Sequence, residues 1–165
     1  MIARPSRIFP RTLLVATLAV LIPILAGCTG AGTKLQAPTA SIQQLTVNSD
    51  GTWAAVVRFQ NYSYDTGMHV HSMAADFSLN GKAAGHIAIS PALDIPAMDA
   101  DVATATFTPD SAGVAALAAA GRNALQYELE GTLSVSKGDK DRAQPFKLDN
   151  KGYISPVPGV SNIWR

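Results

Sequence analysis

The chain has 165 residues, of which 47% are apolar and 15% are charged. This length fits one domain, and the apolar fraction argues against an intrinsically disordered chain. The balance of 13 basic against 12 acidic side chains argues against a nucleic-acid-binding protein, and one cysteine excludes an internal disulfide framework and a cysteine-based zinc site.

The N-terminal region has the order of an export signal. An uncharged, largely apolar run, residues 12–27, follows three basic residues, Arg4, Arg7 and Arg11. The run is shorter than the roughly 18 residues expected of a membrane-spanning helix, and Pro23 interrupts it. A basic segment followed by a short apolar one is typical of a secretory signal peptide. We therefore predict that residues 1–27 are a signal peptide that is removed.

The apolar run ends in Leu25-Ala26-Gly27-Cys28. This sequence resembles the lipobox of bacterial lipoproteins, in which the cysteine receives diacylglycerol and becomes the first residue after cleavage. The resemblance implies covalent lipid on Cys28 and attachment to a membrane, because two or three acyl chains together form a stable anchor. By resemblance to Gram-negative sorting rules, Thr29 in place of aspartate favours the outer membrane, facing the periplasm. The alternative is an ordinary secretory signal with an unmodified, buried Cys28.

Composition divides the rest of the chain into three parts. Residues 28–40 are small and polar enough for an acylated, flexible tether. Residues 41–156 are predicted to form the folded domain, and residues 157–165 an extended C-terminal tail. Without residues 1–27 the acidic side chains are in slight excess, so we expect weak attraction to nucleic acids and to anionic headgroups.

Residues 41–156 are predicted to form short antiparallel strands, because apolar and polar residues alternate between regularly spaced turn residues. An alanine-rich run that starts at Asp110 or Ser111 and ends at Gly121 predicts one short helix. The predicted strands lie near residues 42–48, 52–60, 68–79, 83–89, 101–108, 124–136 and 144–154. Seven strands are the number in an immunoglobulin or fibronectin-type sandwich. We therefore predict a mainly β fold, an antiparallel β-sandwich of about seven strands with one short helix.

The order of these signals resembles the late embryogenesis abundant (LEA) group 2 domain, also called the water stress and hypersensitive response domain. Tyr62 stands where that family has proline after an asparagine. The resemblance implies a fibronectin-like sandwich, a link to stress by analogy with plant relatives, and no catalytic residues. The matching pieces are Val56-Val57-Arg58-Phe59-Gln60-Asn61, Phe77-Ser78-Leu79-Asn80-Gly81, Ile95-Pro96-Ala97, Tyr127-Glu128-Leu129-Glu130-Gly131, and Phe146-Lys147-Leu148 followed by Gly152 and Pro156.

One cluster, Met68-His69-Val70-His71-Ser72-Met73, suggests metal chemistry. Alternate side chains of a strand share a face, which predicts that His69, His71 and Met73 point the same way. Imidazole suits Cu(II) or Zn, and thioether suits Cu(I), so these three residues could bind either metal. The alternatives are that the histidines complete the core face of the strand or that a bulge turns them outward. His86 lies on a neighbouring predicted strand, at a distance that the sequence does not give.

The C-terminal tail contains two prolines and then two large apolar residues, Ile163 and Trp164. Tryptophan is enriched where proteins meet partners. Two structures fit this pattern equally well: an exposed docking peptide that binds a partner through Ile163 and Trp164, or a strap packed over the edge of the sandwich.

The sequence contains neither a nucleophile elbow nor a glycine-rich phosphate loop between a strand and a helix. Glu128 and Glu130 share the polar face of one strand and are expected to be solvated. These observations favour a non-enzymatic, membrane-anchored envelope lipoprotein with no cofactor besides its lipid. It would act as a binding module for an envelope protein or an apolar ligand, or as a stress-protective module. The alternative is a periplasmic lipoprotein that binds Cu or Zn through His69, His71 and Met73.

Overall fold

The computed structural model describes residues 34–165, so the predicted signal peptide and Cys28 lie outside the described residues. The described part contains nine strands and one helix: β1 (Thr39–Val47), β2 (Trp53–Gln60), β3 (Met68–Leu79), β4 (Lys82–Ile89), β5 (Leu93–Ile95), β6 (Ala100–Phe107), α1 (Ser111–Ala120), β7 (Leu125–Ser136), β8 (Gln144–Ile154) and β9 (Ile163–Trp164). Over residues 34–165, no helix is long and apolar enough to span a bilayer.

The strands form two antiparallel sheets. The first sheet has the order β6-β2-β1-β9, and the second has the order β4-β3-β7-β8 with β5 paired to β3. The predicted mainly β sandwich with one helix is therefore confirmed. The prediction of seven strands omits β5 and β9, which contain only three and two residues.

The alternation of side chains between core and solvent explains why these segments form strands. In β2 the residues at 53, 55, 57 and 59 are buried, and the intervening ones are partly or fully exposed.

Three aromatic rings join the sheets in the core. Phe107 of the first sheet packs edge-on against Trp53 and against Phe77 of the second sheet, each at 6.0 Å between ring centroids.

The folded domain begins earlier than predicted. Leu35 is buried in the core, Pro38 is buried, and β1 starts at Thr39. The boundary predicted at residue 41 is therefore wrong, because an isolated leucine in a polar stretch gives no periodic signal. Residues 35–40 belong to the folded body.

The hydroxyl of Tyr127 connects the two sheets. It accepts a hydrogen bond from the backbone amide of Ile42 in β1 at 3.3 Å and donates one to Oδ1 of Asn150 in β8 at 3.2 Å. Burial raises the pKa of Tyr127, because the charged phenolate would lose its hydration. Tyr127 is thus a neutral link that stabilises the packing of β1 on β7 and β8.

The close approach of β7 to β3 depends on Gly131. This residue pairs with Ala75 of β3, and a Cβ atom at position 131 would overlap the backbone carbonyl of Ala74 and lie 2.6 Å from the Cα atom of Ala75. Both neighbours are backbone in the middle of the sheet, where they cannot give way without disturbing the hydrogen-bond ladder.

We predict that Gly131→Ala lowers the free energy of unfolding by about 1–3 kcal/mol, because overpacking forces strands apart. The measurement is urea unfolding followed by circular dichroism. Gly138→Ala is the matched control, since a Cβ atom there would meet only a carboxylate oxygen of Asp141 at 3.5 Å. Equal unfolding midpoints for the two variants would contradict the prediction.

Candidate functional site

The structure separates the three side chains of the predicted metal cluster. The rings of His69 and His71 are in contact, with 4.6 Å between their centroids, but Met73 is buried in the core. The pairing of β3 with β7 shifts register between Val70 and Ser72, so His71 is an extra residue in β3. Such a bulge reverses the alternation of faces. The prediction that Met73 shares a face with the histidines is therefore wrong.

Both ring nitrogens of His69 face carboxylates. Nδ1 lies 2.7 Å from Oδ1 of Asp94 in β5, and Nε2 lies 3.4 Å from Oδ1 of Asp139 in the connection between β7 and β8. His69 is itself buried, so these contacts hold β5 and the 137–143 connection to β3. Within residues 34–165, no group of three or more His, Cys, Asp or Glu side chains is placed to hold a metal ion.

His71 contacts a serine, which is the pairing used for nucleophilic catalysis. Its Nε2 lies 2.7 Å from Oγ of Ser136, and the Ser136 hydroxyl donates its hydrogen to the carbonyl of Gly138. Nε2 of His71 is therefore the donor in the first contact. Since Ser136 is buried and its hydroxyl hydrogen is engaged, its oxygen is not presented to a substrate.

The third histidine lies on a different part of the second sheet. Nδ1 of His86 in β4 lies 2.9 Å from Oδ1 of Asp76 in β3, at the edge of a shallow groove of about 390 Å³ that Glu128 and Glu130 also line. Glu128 pairs with Lys151, whose Nζ lies 3.1 Å from Oε1 of Glu128, and this contact raises the pKa of Lys151. The groove therefore combines solvated acidic groups with a cross-strand ion pair.

The C-terminal tail folds back on the sandwich instead of extending from it. Ile163 and Trp164 form β9, which pairs with Thr46 and Leu45 of β1, and the Trp164 residue is only 6% exposed. The docking-peptide alternative for Trp164 is therefore wrong, and the strap alternative is confirmed. The backbone of Trp164 pairs with Leu45 and with Pro156, and its side chain belongs to the buried core.

Exposed aromatic side chains concentrate where the described chain enters the sandwich. We call this the entry end and define it as residues 34–38, 61–67 and 96–99. Tyr62 is 44% exposed, Tyr64 is 81% exposed and Met98 is 52% exposed. The backbone amide of Met98 donates to the carbonyl of Ser63 at 3.0 Å, which joins the connection that carries both tyrosines to the turn that carries Met98.

Asn61 holds the entry end together from inside. Its side chain is fully buried, and Nδ2 donates to the carbonyls of Thr66, Pro96 and Ile95 at 2.9, 3.0 and 3.3 Å. Its Oδ1 accepts from the amide of Ser63 at 2.9 Å. One amide group thus satisfies backbone groups of two separate connections, β2–β3 and β5–β6.

The first described residues are bonded to the same connection. The amide of Gln36 donates to Oγ of Ser63 at 3.0 Å, while Leu35 is buried and Lys34 is exposed. The entry end was not among the sequence-predicted sites. Its signal in the sequence is the alternation Asn61-Tyr62-Ser63-Tyr64, in which the two small polar residues face inward and the two tyrosines face outward.

No family model matches the sequence, and no curated protein matches it. Solved structures are similar in fold. The solution structure of AT1g01470 from Arabidopsis thaliana has a TM-score of 0.51 and 18% identity, covering 79% of this chain and 90% of that one. This likeness shows a shared fold and nothing about function.

Two further structures are similar at lower TM-scores. A solution structure named as a late embryogenesis abundant (LEA) protein, At2g46140.1, has a TM-score of 0.43 and 12% identity over 92% of this chain and 85% of that one. A crystal structure of a protein from Archaeoglobus fulgidus has a TM-score of 0.42 and 11% identity over 75% of this chain and 98% of that one.

We predict that Asn61→Asp lowers the free energy of unfolding by about 1–3 kcal/mol or more, because a carboxylate cannot donate to the three carbonyls and leaves buried acceptors unpaired. Urea unfolding at neutral pH provides the measurement. Gln60→Glu is the matched control, since Nε2 of Gln60 donates to the carbonyl of Asp99 at 3.0 Å in a solvent-exposed position. A loss of stability no larger than that of the control would refute the role of Asn61.

Proposed function

We propose that the chain is a non-enzymatic lipoprotein of the bacterial cell envelope. Lipid on Cys28 anchors it to the periplasmic face of the outer membrane, where the sandwich acts as a binding or stress-protective module. The observation that carries this proposal is the order of signals at the N-terminus: three arginines, a short apolar run and the sequence Leu25-Ala26-Gly27-Cys28.

The position of the folded domain supports this proposal. Leu35 is already part of the core, so only a few residues separate the proposed lipid from the sandwich. A short connection of this kind keeps the domain at the bilayer surface. The lipid supplies the membrane affinity, because two or more acyl chains bind a bilayer stably where a single chain does not.

The side chains that suggested metal or nucleophilic chemistry are engaged within the fold. His69 is engaged with two carboxylates, and Ser136 is buried. The proposed Cu or Zn site of His69, His71 and Met73 lacks its thioether ligand, because Met73 lies in the core. The resemblance to the LEA group 2 domain supports the protective alternative, and that part of the proposal rests on the resemblance alone.

Cys28→Ser tests the anchor. In a Gram-negative host given radiolabelled palmitate, we expect the wild-type chain to take up label, lose residues 1–27 and float with membranes on a density gradient. The variant is expected to remain an unlabelled precursor, because serine offers no thiol for the diacylglyceryl group. Thr33→Ser is the control for a serine substitution outside the lipobox. Label in the Cys28→Ser chain, or wild-type protein that keeps Met1 and a free thiol by intact-mass spectrometry, would overturn the proposal.

The sorting of the lipoprotein has its own test. We expect Thr29→Asp to move the labelled protein from outer-membrane to inner-membrane fractions of the same host, and Thr29→Ser to leave it in the outer membrane. Separation of the two membranes on a sucrose gradient measures this. If wild-type protein and the aspartate variant were found in the same fraction, position 29 would not decide the location.

A further inference from the structure

We propose that the entry end is a membrane-contacting surface, in which Tyr62, Tyr64 and Met98 insert into the interfacial layer of the bilayer that holds the lipid anchor. This inference rests on the proposed function, because it takes Cys28 as the point of lipid attachment. It adds a second, non-covalent contact that fixes how the sandwich is oriented on the membrane.

The first argument is the concentration of exposed apolar area. The three side chains of the proposed surface belong to two connections that are hydrogen-bonded to each other through Met98 and Ser63. Over residues 34–165, seven large hydrophobic side chains are exposed: Tyr62, Tyr64, Met98, Val102, Val114, Tyr153 and Val160. Val102 follows shortly after Met98 at the start of β6, so four of the seven lie at or next to the entry end.

The second argument is the length of chain between this surface and Cys28. Six peptide units separate Cys28 from Lys34, which span at most about 20 Å when fully extended. Lys34 precedes Leu35 and Gln36, and the amide of Gln36 is bonded to Ser63, the residue between the two tyrosines. Eight peptide units separate Cys28 from Gln36, so the acyl chains must enter the bilayer within about 29 Å of the place where the chain joins this connection. Of the two ends of the sandwich, this is the one that the anchor keeps at the membrane.

The third argument is the chemistry of the side chains. Tyrosine has an apolar ring and a polar hydroxyl, and it is enriched at the headgroup level of membranes for that reason. The charged residues of the entry end are Lys34, Asp65 and Asp99, so the surface has a slight excess of negative charge. Its contact is therefore shallow and driven by the rings and the thioether, and it does not depend on anionic lipid.

The position of the tyrosines is fixed before any contact is made. Asn61 and Ser63 are buried and bonded to each other, which directs the intervening Tyr62 and the following Tyr64 outward. Because the backbone is already held, insertion costs only the freedom of the side chains.

The test uses the full-length, lipidated protein in vesicles of phosphatidylcholine. An environment-sensitive fluorophore is attached to a cysteine introduced by Tyr64→Cys. The matched control carries it at Tyr153→Cys. Tyr153 is 70% exposed and lies near the end of β8 that is away from the entry end. We expect the label at position 64 to shift its emission to the blue and to be quenched by brominated acyl chains. The label at position 153 should show neither effect, and added phosphatidylglycerol should not strengthen the signal at position 64.

Failure of this inference and failure of the anchor give different results. If the protein floats with the vesicles while the label at position 64 stays in water, the anchor holds and the membrane-contacting surface is refuted. If neither labelled protein binds vesicles and the Cys28 thiol is free, the proposed function itself has failed. A shift at position 64 that occurs in native envelope membranes but not in protein-free vesicles would assign the surface to a protein partner and overturn the inference.

Hydrogen exchange of the unlabelled lipoprotein provides a second readout that needs no substitution. Vesicle binding should slow exchange of the amides in residues 61–67 and 96–99. The 48–52 connection at the other end of the sandwich serves as the internal control and should be unchanged. Equal exchange at both ends, with and without vesicles, would also overturn the inference.

Discussion

The buried amide group of Asn61 is the interaction on which the entry end depends. An unpaired polar group in the interior costs more than a hydrogen bond gains, so irregular connections that cross the end of a sandwich need partners that a strand ladder does not supply. Asn61 supplies them with one side chain, donating to three carbonyls and accepting from one amide. Its identity is constrained, because only an amide side chain combines an NH2 group with two hydrogens to donate and a carbonyl oxygen that accepts. The outward direction of Tyr62 and Tyr64 follows from this arrangement.

Two of the histidines, His69 and His71, hold the same end of the molecule together in a similar way. His69 holds β5 and the 137–143 connection to β3 through two aspartates, and His71 joins the end of β7 through Ser136. Histidines that suggest metal chemistry in the sequence are here partners for loops and short strands. The bulge at His71 is what allows this, because it places Met73 on the core face while the rings of His69 and His71 contact each other.

The regular part of the fold could be predicted from the sequence because alternation over eight or more residues has one common explanation, a strand with one buried face. Prediction from this alternation failed for segments of fewer residues. Three residues in β5 and two in β9 are too few to show a period, and the prolines in the flanking sequence argue against pairing. The bulge depends on the register between β3 and β7, and the local sequence of β3 does not indicate that register. The strap of Trp164 likewise depends on a partner strand more than a hundred residues away.

The same reasoning explains why the entry end could not be predicted. Tyr62 and Tyr64 are large aromatic residues of a type that often lies in a core. Their exposure follows from the hydrogen bonds of Asn61 to the carbonyls of residues 95 and 96, which are far along the chain. On the proposed function, acyl chains alone would hold this end of the sandwich near a membrane without fixing its tilt, because they are attached at one residue. A rigid aromatic end beside the tether supplies the missing constraint. In that orientation the opposite end, with the strap and the 48–52 connection, faces away from the bilayer.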